Sequence, residues 1–178
     1  MAEDFIPTYS GERFYYRNPQ QLQVKLEDIA HGLAMNPRFG GQCQKFYSVA
    51  LHSVLVSKEL ENQGYSKKIQ FYGLLHDAPE AYMGDVPAPL KKELENVKQI
   101  EENIMNVIWN ALDIQPPTGE EWRKVKQADK ILLYHEASEL VSRDNWAEKV
   151  DRDYNLTSGS RKEDKERFLS RFTDLNDS

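Results

Sequence analysis

The chain has 178 residues, 39% hydrophobic and 29% charged, with a formal net charge of -6 and one cysteine. That is the length of one domain able to bury a substantial core, and the lone Cys43 excludes an intrachain disulfide and fits a reducing, cytoplasmic setting. The acidic balance speaks against a nucleic-acid polymer as partner. The opening Met1-Ala2-Glu3-Asp4 lacks a signal-peptide pattern, and no run approaches the ~20 apolar residues of a membrane span.

Residues 8–18 set aromatics around Ser10-Gly11, which suits a short hairpin or ordered arm before Pro19 breaks the chain. Leu26, Ile29, Ala30 and Leu33 fall at helical spacing, so a first helix is expected over 25–35, ended by Asn36-Pro37; Gly40-Gly41 then marks a loop. Ser48 is a good N-cap for a helix to about Asn62, and Val49, Leu51, Val54, Leu55 and Val56 cover so much of its circumference that it should be central. Gly64 stops it, and Ser66 opens the next helix, whose apolar run ends at His76-Asp77. Pro79, Gly84, Pro87 and Pro89 punctuate the following segment, with Pro79 tolerable in a first helical turn. A helix is expected over 91–112 with a break near Asn96, then a linker carrying Pro116-Pro117. Thr118 with Glu121 forms a capping-box pattern for a long helix reaching towards Val141. The polar stretch 142–159 is the least readable, and Ser160 with Glu163 is a second capping box before a charged terminal helix. The expected fold is all-α, a compact helical bundle with at most one short N-terminal β-hairpin, forming a single domain over 1–178.

Chemistry is carried by His52 in an apolar helix, the adjacent His76-Asp77, and Asp129 in a second apolar context. Two imidazoles and two carboxylates suit one divalent cation such as Mn²⁺, Co²⁺ or Zn²⁺, with Mg²⁺ a further candidate. Such an ion polarises water and offsets phosphoryl charge, which points to hydrolysis of a phosphate ester. Glu80 lies three residues after Asp77, on the same face if helical, where it can orient the attacking water. Asp85, on a proline-bounded loop, can protonate a leaving alkoxide if neighbouring acids raise its pKa. Spacing alone leaves a blander reading open for each group: His52 as a satisfied core residue, Asp129 as a cap or salt-bridge partner. His31, His135, Cys43, Trp109 and Trp122 read as structural or surface residues, and Trp146 is given no role.

The stretches Arg38-Phe39, 46–57, 73–91 and Ala128-Asp129 together resemble the HD-domain metal-dependent phosphohydrolases, in the family's order over about 26–137, with 142–178 as a C-terminal helical extension. The specific part is His76-Asp77-x-x-Glu80 followed by Gly84-Asp85-x-Pro87-x-Pro89-x-Lys91. It is similar to bacterial 5′-deoxynucleotidases and to small phage deoxynucleoside triphosphate hydrolases. The resemblance implies that His52, His76, Asp77 and Asp129 bind the metal, that Glu80 activates water, and that Asp85 serves the leaving group. It further implies that Arg38 grips phosphate, that Phe39 stacks on base or sugar where relatives often carry Trp, that Lys91 reaches a phosphate, and that the protein is a homo-oligomer.

The expected activity is therefore metal-dependent cleavage of the 5′-phosphate ester of a small-molecule deoxynucleotide. The first expectation is a dNTP, dATP foremost, giving deoxynucleoside and triphosphate. It rests on cations flanking the site: Arg38, Lys91, Lys92 and Lys130. The alternative is a dNMP with release of phosphate, and a non-catalytic nucleotide-binding module ranks below both.

Overall fold

The structure, a computed structural model, describes residues 4–141 and 153–176. Residues 142–152, with Trp146, therefore lie outside the described residues. Strands β1 (Ile6–Pro7) and β2 (Arg13–Phe14) pair antiparallel, Ile6 opposite Phe14 and Pro7 opposite Arg13. Gly11 takes a φ of 88° in the turn between them. The backbone N–H and hydroxyl of Ser10 donate to the two carboxylate oxygens of Asp28, at 2.7 and 2.8 Å. The hairpin is thereby clamped to helix α1 (Leu26–Met35).

Helix α2 (Val49–Asn62) is the centre of the bundle, as the apolar residues covering much of the circumference of its first half require. It packs on α1, on α3 (Lys67–Leu75), on α7 (Gly119–Glu136) and on α8 (Arg161–Asn176). The Ser48 hydroxyl oxygen accepts the Leu51 N–H at 3.1 Å, the expected cap. The same hydroxyl donates to the buried Asp164 of α8 at 2.6 Å, so one side chain starts α2 and anchors the terminal helix. Arg171, also in α8, donates to Ser57 of α2 and Gln70 of α3. The terminal helix is thus stitched to the central pair by buried polar bonds as well as by Phe168 and Leu175.

The expected helix over 91–112 is two helices, α5 (Ala88–Glu93) and α6 (Val97–Ala111). The break falls at Asn96, which adopts a left-handed φ of 65° that asparagine tolerates better than most residues. Helix α7 opens with the Thr118–Glu121 capping box and continues through Ala137–Val141 as a single π-helical turn. Between α3 and the short α4 (Glu80–Met83) the chain turns at 76–79. Gly32 lets α1 approach that turn closely, since a Cβ there would meet the Ala81 carbonyl oxygen at 2.5 Å. No helix among the described residues is long and apolar enough to cross a membrane.

Candidate metal centre

The end of α3 solves the problem that adjacent residues on a helix point about 100° apart. The α-helix ends at Leu75, His76 keeps a right-handed helical backbone as its C-cap, and the Ala78 N–H closes a tighter turn onto the Leu75 carbonyl at 2.9 Å. His76 and Asp77 can therefore face the same point. His52 reaches it from the first turn of α2 and Asp129 from α7.

The four side chains form a ring of close approaches. His52 Nε2 lies 3.2 Å from Asp129 Oδ1 and 3.6 Å from Asp77 Oδ2. His76 Nε2 lies 3.1 Å from Asp77 Oδ2 and 3.7 Å from Asp129 Oδ1. Donors that each sit about 2.0–2.2 Å from one shared cation stand roughly 3–3.5 Å from one another, so these edges have the right length. His52, His76 and Asp129 form the tightest trio, with ligand atoms all within 4.8 Å of one another. Asp77 is outside that trio, yet its Oδ2 touches both imidazoles, and we regard it as part of the same cluster on those distances.

The imidazole tautomers follow from their outer partners. His52 Nδ1 is 2.6 Å from a Glu136 carboxylate oxygen, and His76 Nδ1 is 2.7 Å from the Gly73 carbonyl. Carboxylate and carbonyl only accept, so each Nδ1 must carry the proton and each neutral ring turns a bare Nε2 lone pair inward. Neither Nε2 has a hydrogen-bond partner, although both are buried. Arg38 Nε and Glu80 Oε2 are orphaned in the same way, which puts four of the six unpartnered buried side-chain atoms among the described residues at this one site. Buried polar atoms are ordinarily satisfied, and such a concentration marks a place built for something else to bind. The donor set fits a divalent cation.

Electrostatics agree. Burial pulls the His76 imidazole down, but Asp77 and Asp129 outweigh it and push its pKa up to about 9. Burial and Arg38 lower His52, yet Glu136 and Asp129 leave it raised. The raised imidazoles report a negative field from the surrounding carboxylates, which a bound cation would neutralise. Burial raises both carboxylates of the cluster, but the imidazoles opposite hold Asp77 and Asp129 low.

Around this cluster stand the other expected residues. Glu80 is 4% exposed and its pKa is raised well above the usual range by burial, then by Asp77 and Asp85. Its backbone carbonyl accepts from Asn36 Nδ2 at 3.2 Å, which ties α4 to the end of α1. Asp85, half-buried, is likewise raised, by burial first and Asp77 after it, against the pull of Arg38. Lys91 Nζ sits between Glu101 at 2.9 Å and Glu80 at 3.4 Å. Arg38 is 9% exposed, with Nη2 3.2 Å from Glu136 and Nη1 4.0 Å from Asp77. Phe39, half-buried beside the Arg38 guanidinium at 5.4 Å, holds a φ of 56°, a strained conformation for an aromatic residue.

Two neighbours of the cluster do not stand out in the sequence. Glu136 is fully buried against His52, Arg38 and Tyr47. Lys126 Nζ lies 3.2 Å from Asp129 Oδ2 with 47% of its side chain exposed. Both share a face of α7 with Asp129, seven residues after and three before it, and that spacing is the available signal. Lys130, by contrast, lies over the Tyr134 ring at 5.4 Å. The remaining histidines are aromatic partners, His31 stacked on Tyr9 at 3.8 Å and His135 edge-on to Tyr154 at 5.0 Å. Trp109 is buried against Tyr72, Trp122 packs partly buried on the core, and Cys43 is half-buried beside the Arg38 carbonyl.

Comparison with known proteins gives the same frame. The HD domain family matches residues 45–128, which include His52, the His76-Asp77 pair, Glu80, Asp85 and Lys91. Uncharacterized protein YfdR of Escherichia coli is 40% identical over 136 residues, covering 76% of this chain and 72% of that protein. An uncharacterized Rhodobacter capsulatus protein is 42% identical over 86 residues, 46% of this chain and 44% of its own. A 5′-deoxynucleotidase of Cronobacter sakazakii is 28% identical over 160 residues, 79% of this chain and 74% of its own. Asp129 lies one residue beyond the family match, and the folded structure brings it to the cluster. The chain belongs to the HD-domain family and is a metal-dependent phosphohydrolase.

Proposed function

We propose that this protein hydrolyses the 5′-phosphate ester of deoxynucleotides, with His52, His76, Asp77 and Asp129 holding one divalent cation. The observation that carries the reading is the pair of inward, partnerless Nε2 atoms ringed by two carboxylates. When bound, a divalent cation lowers the pKa of a water and offsets charge on the phosphoryl group.

The chain's own residues supply the rest. Glu80 Oε2 is buried and free to accept, so it takes the proton of the attacking water. A carboxylate whose pKa is raised by burial is a better base near neutral pH than an exposed one. The water oxygen bonds to phosphorus while the bond from phosphorus to O5′ breaks. Asp85, raised and half-buried, delivers the proton that O5′ needs to leave as a hydroxyl. Arg38, fixed by Glu136 on one nitrogen, keeps Nε for a phosphate oxygen. Phe39 offers its ring to the nucleoside.

Phosphate count follows from free positive charge. Of the cations that favour a triphosphate in the sequence, Arg38 faces Asp77 and Glu136, Lys91 faces Glu80 and Glu101, and Lys130 lies on Tyr134. A relative named 5′-deoxynucleotidase points the same way. We therefore place dNMPs first. Lys126, half-exposed at the rim beside Asp129, and Lys92, exposed on α5, favour a longer phosphate chain and keep dNTPs, dATP included, as the second reading.

The test is a screen of the purified protein, loaded in turn with Mn²⁺, Co²⁺ and Zn²⁺, against every dNMP and dNTP, with phosphate, pyrophosphate and triphosphate resolved. Release of orthophosphate from dNMPs is expected. Release of triphosphate from dNTPs with no action on dNMPs reverses the order, and turnover of neither removes the proposal.

A further inference from the structure

Glu136 touches two residues of the proposed site, His52 and Arg38, yet has no obvious place in bond making or breaking. Its side chain is fully buried, 84 residues in sequence from His52. Oε1 accepts from His52 Nδ1 at 2.6 Å and from the Tyr47 hydroxyl at 2.7 Å. Oε2 accepts from Arg38 Nη2 at 3.2 Å. Both oxygens are thus used, and the three donors come from α2, from the strand-like segment before it, and from the loop after α1. Glu136 is also the last residue of α7 before the π-helical turn at Ala137–Val141. Such turns inside helices recur at functional sites, where they re-aim a side chain.

We propose that Glu136 is a positioning residue that couples the cation to the phosphate-gripping arginine. This rests on the proposed function above. The carboxylate holds His52 in the Nδ1–H tautomer, leaving Nε2 as the only lone pair of that ring and fixing its plane. It holds Arg38 by one terminal nitrogen, leaving Nε and Nη1 turned to the site. A carboxylate behind a ligating histidine raises the ligand's basicity, and loss of such a partner typically weakens metal binding about 10–100-fold. Here the same carboxylate also carries the arginine, so a single substitution should disturb metal and nucleotide together. A buried glutamate serving stability alone would leave cation affinity unchanged when it is replaced in a variant that still folds.

Two measurements decide it. Long-range ¹H–¹⁵N spectra of the wild-type, metal-free protein, at a pH where the imidazoles are neutral, should show His52 with its proton on Nδ1. Finding the proton on Nε2 overturns the proposal without any variant. Titration of Co²⁺ into wild type and Glu136→Gln, each checked for an unchanged fold by circular dichroism, should show affinity lower by about 10–100-fold in the variant. Equal affinities overturn the role of Glu136 while leaving the metal reading intact. A wild-type protein that takes up no Co²⁺ overturns the metal reading, and this coupling with it. If Glu136→Gln does not fold, Glu136→Asp, which keeps the charge but draws it back from His52, replaces it in the Co²⁺ titration with the same two outcomes.

Discussion

Lys126 and Asp129 face each other across one turn of α7, with Nζ 3.2 Å from Oδ2, while Asp129 Oδ1 is turned to the two imidazoles. The carboxylate is shared between a surface cation and the buried cluster. An ion pair with a half-exposed lysine contributes only about 0–1 kcal/mol to folding, so stability does not explain the lysine's position. Lys126→Ala should leave the melting temperature nearly unchanged and metal affinity undiminished, since Asp129 loses only a competitor. The KM for nucleotide should rise with little change in kcat, the pattern of lost uniform binding. The rise should be larger for a dNTP than for a dNMP. Steady-state kinetics on both substrates check this, and an unchanged KM for both removes Lys126 from the substrate path.

Asp77 and Glu80 are three residues apart and should separate cleanly by mutation. Asp77→Ala takes an oxygen from between both imidazoles, so metal and activity should be lost together. Glu80 has its Oε2 unpartnered and stands outside the donor ring. Glu80→Gln should retain the metal while kcat falls by about 10²–10⁴, the usual scale for a lost acid–base group. Elemental analysis of dialysed protein beside initial rates measures both. Normal turnover by Glu80→Gln would sink the assignment of the base.

Much of this is legible in the sequence because the ligands sit where polar residues are rare. His52 stands out in the apolar first half of α2, and His76-Asp77 at the end of an apolar run, so composition alone sets them apart. The helix ends follow from side chains that bond locally, as with Ser48 and the Thr118–Glu121 box. The illegible part depends on contacts made across the chain. Glu136 is an ordinary helical glutamate until His52, Arg38 and Tyr47 arrive from elsewhere. Lys130 draws the eye before Lys126 because it neighbours Asp129, but one residue is about 100° of helical rotation and three residues bring the side chain back to the same face. The hairpin pairs residues 6–7 with 13–14, slightly earlier than the aromatic pattern suggests, because its turn is closed by Thr8, whose N–H and carbonyl bond Glu12 and Gly11.

The cluster also predicts opposite pH dependences with and without metal. The His76 pKa is raised from 6.5 to about 9 in the folded, metal-free protein. A raised imidazole contributes stability that is fully present below its unfolded value and lost as pH climbs through the folded value. The metal-free protein should therefore melt at progressively lower temperature between pH 6.5 and about 9. A bound cation needs the imidazole deprotonated, so its stabilisation grows with pH over that same window. Thermal melts in chelator and in saturating Mn²⁺ should diverge as pH rises. Parallel curves would mean that proton and metal do not compete at His76.

Gly32 links the fold to the chemistry. A Cβ at this position would meet the Ala81 carbonyl oxygen at 2.5 Å and the Ala81 Cα at 2.9 Å, which are backbone atoms that cannot swing aside. Gly32→Ala must push α4 away from α1, at a cost of about 1–3 kcal/mol for overpacking. At roughly 2–4 °C per kcal/mol for a chain of this size, the melting temperature should fall by several degrees. Glu80 begins α4, so kcat should fall while metal content, set by residues outside α4, holds. Unchanged kcat in a destabilised Gly32→Ala would show that α4 moves without carrying its carboxylate off target.

Phe39 is held at a φ of 56° and ψ of 31°, left-handed values that cost a side-chain-bearing residue about 1–2 kcal/mol. Glycine there relieves that cost but gives up about 0.5–1 kcal/mol of backbone entropy. It also gives up the contact with the Arg38 guanidinium at 5.4 Å, worth about 0.5–1 kcal/mol. The half-buried ring also gives up part of the ~1.5–3 kcal/mol that full burial of a phenylalanine is worth, so Phe39→Gly should melt somewhat below wild type. If the strained conformation exists to present the ring to the nucleoside, discrimination among the four bases should collapse in the same variant. Relative kcat/KM across the four deoxynucleotides reads this directly. An unchanged ranking of bases in a stable Phe39→Gly would mean that the ring does not touch the nucleoside and that the strain has another origin.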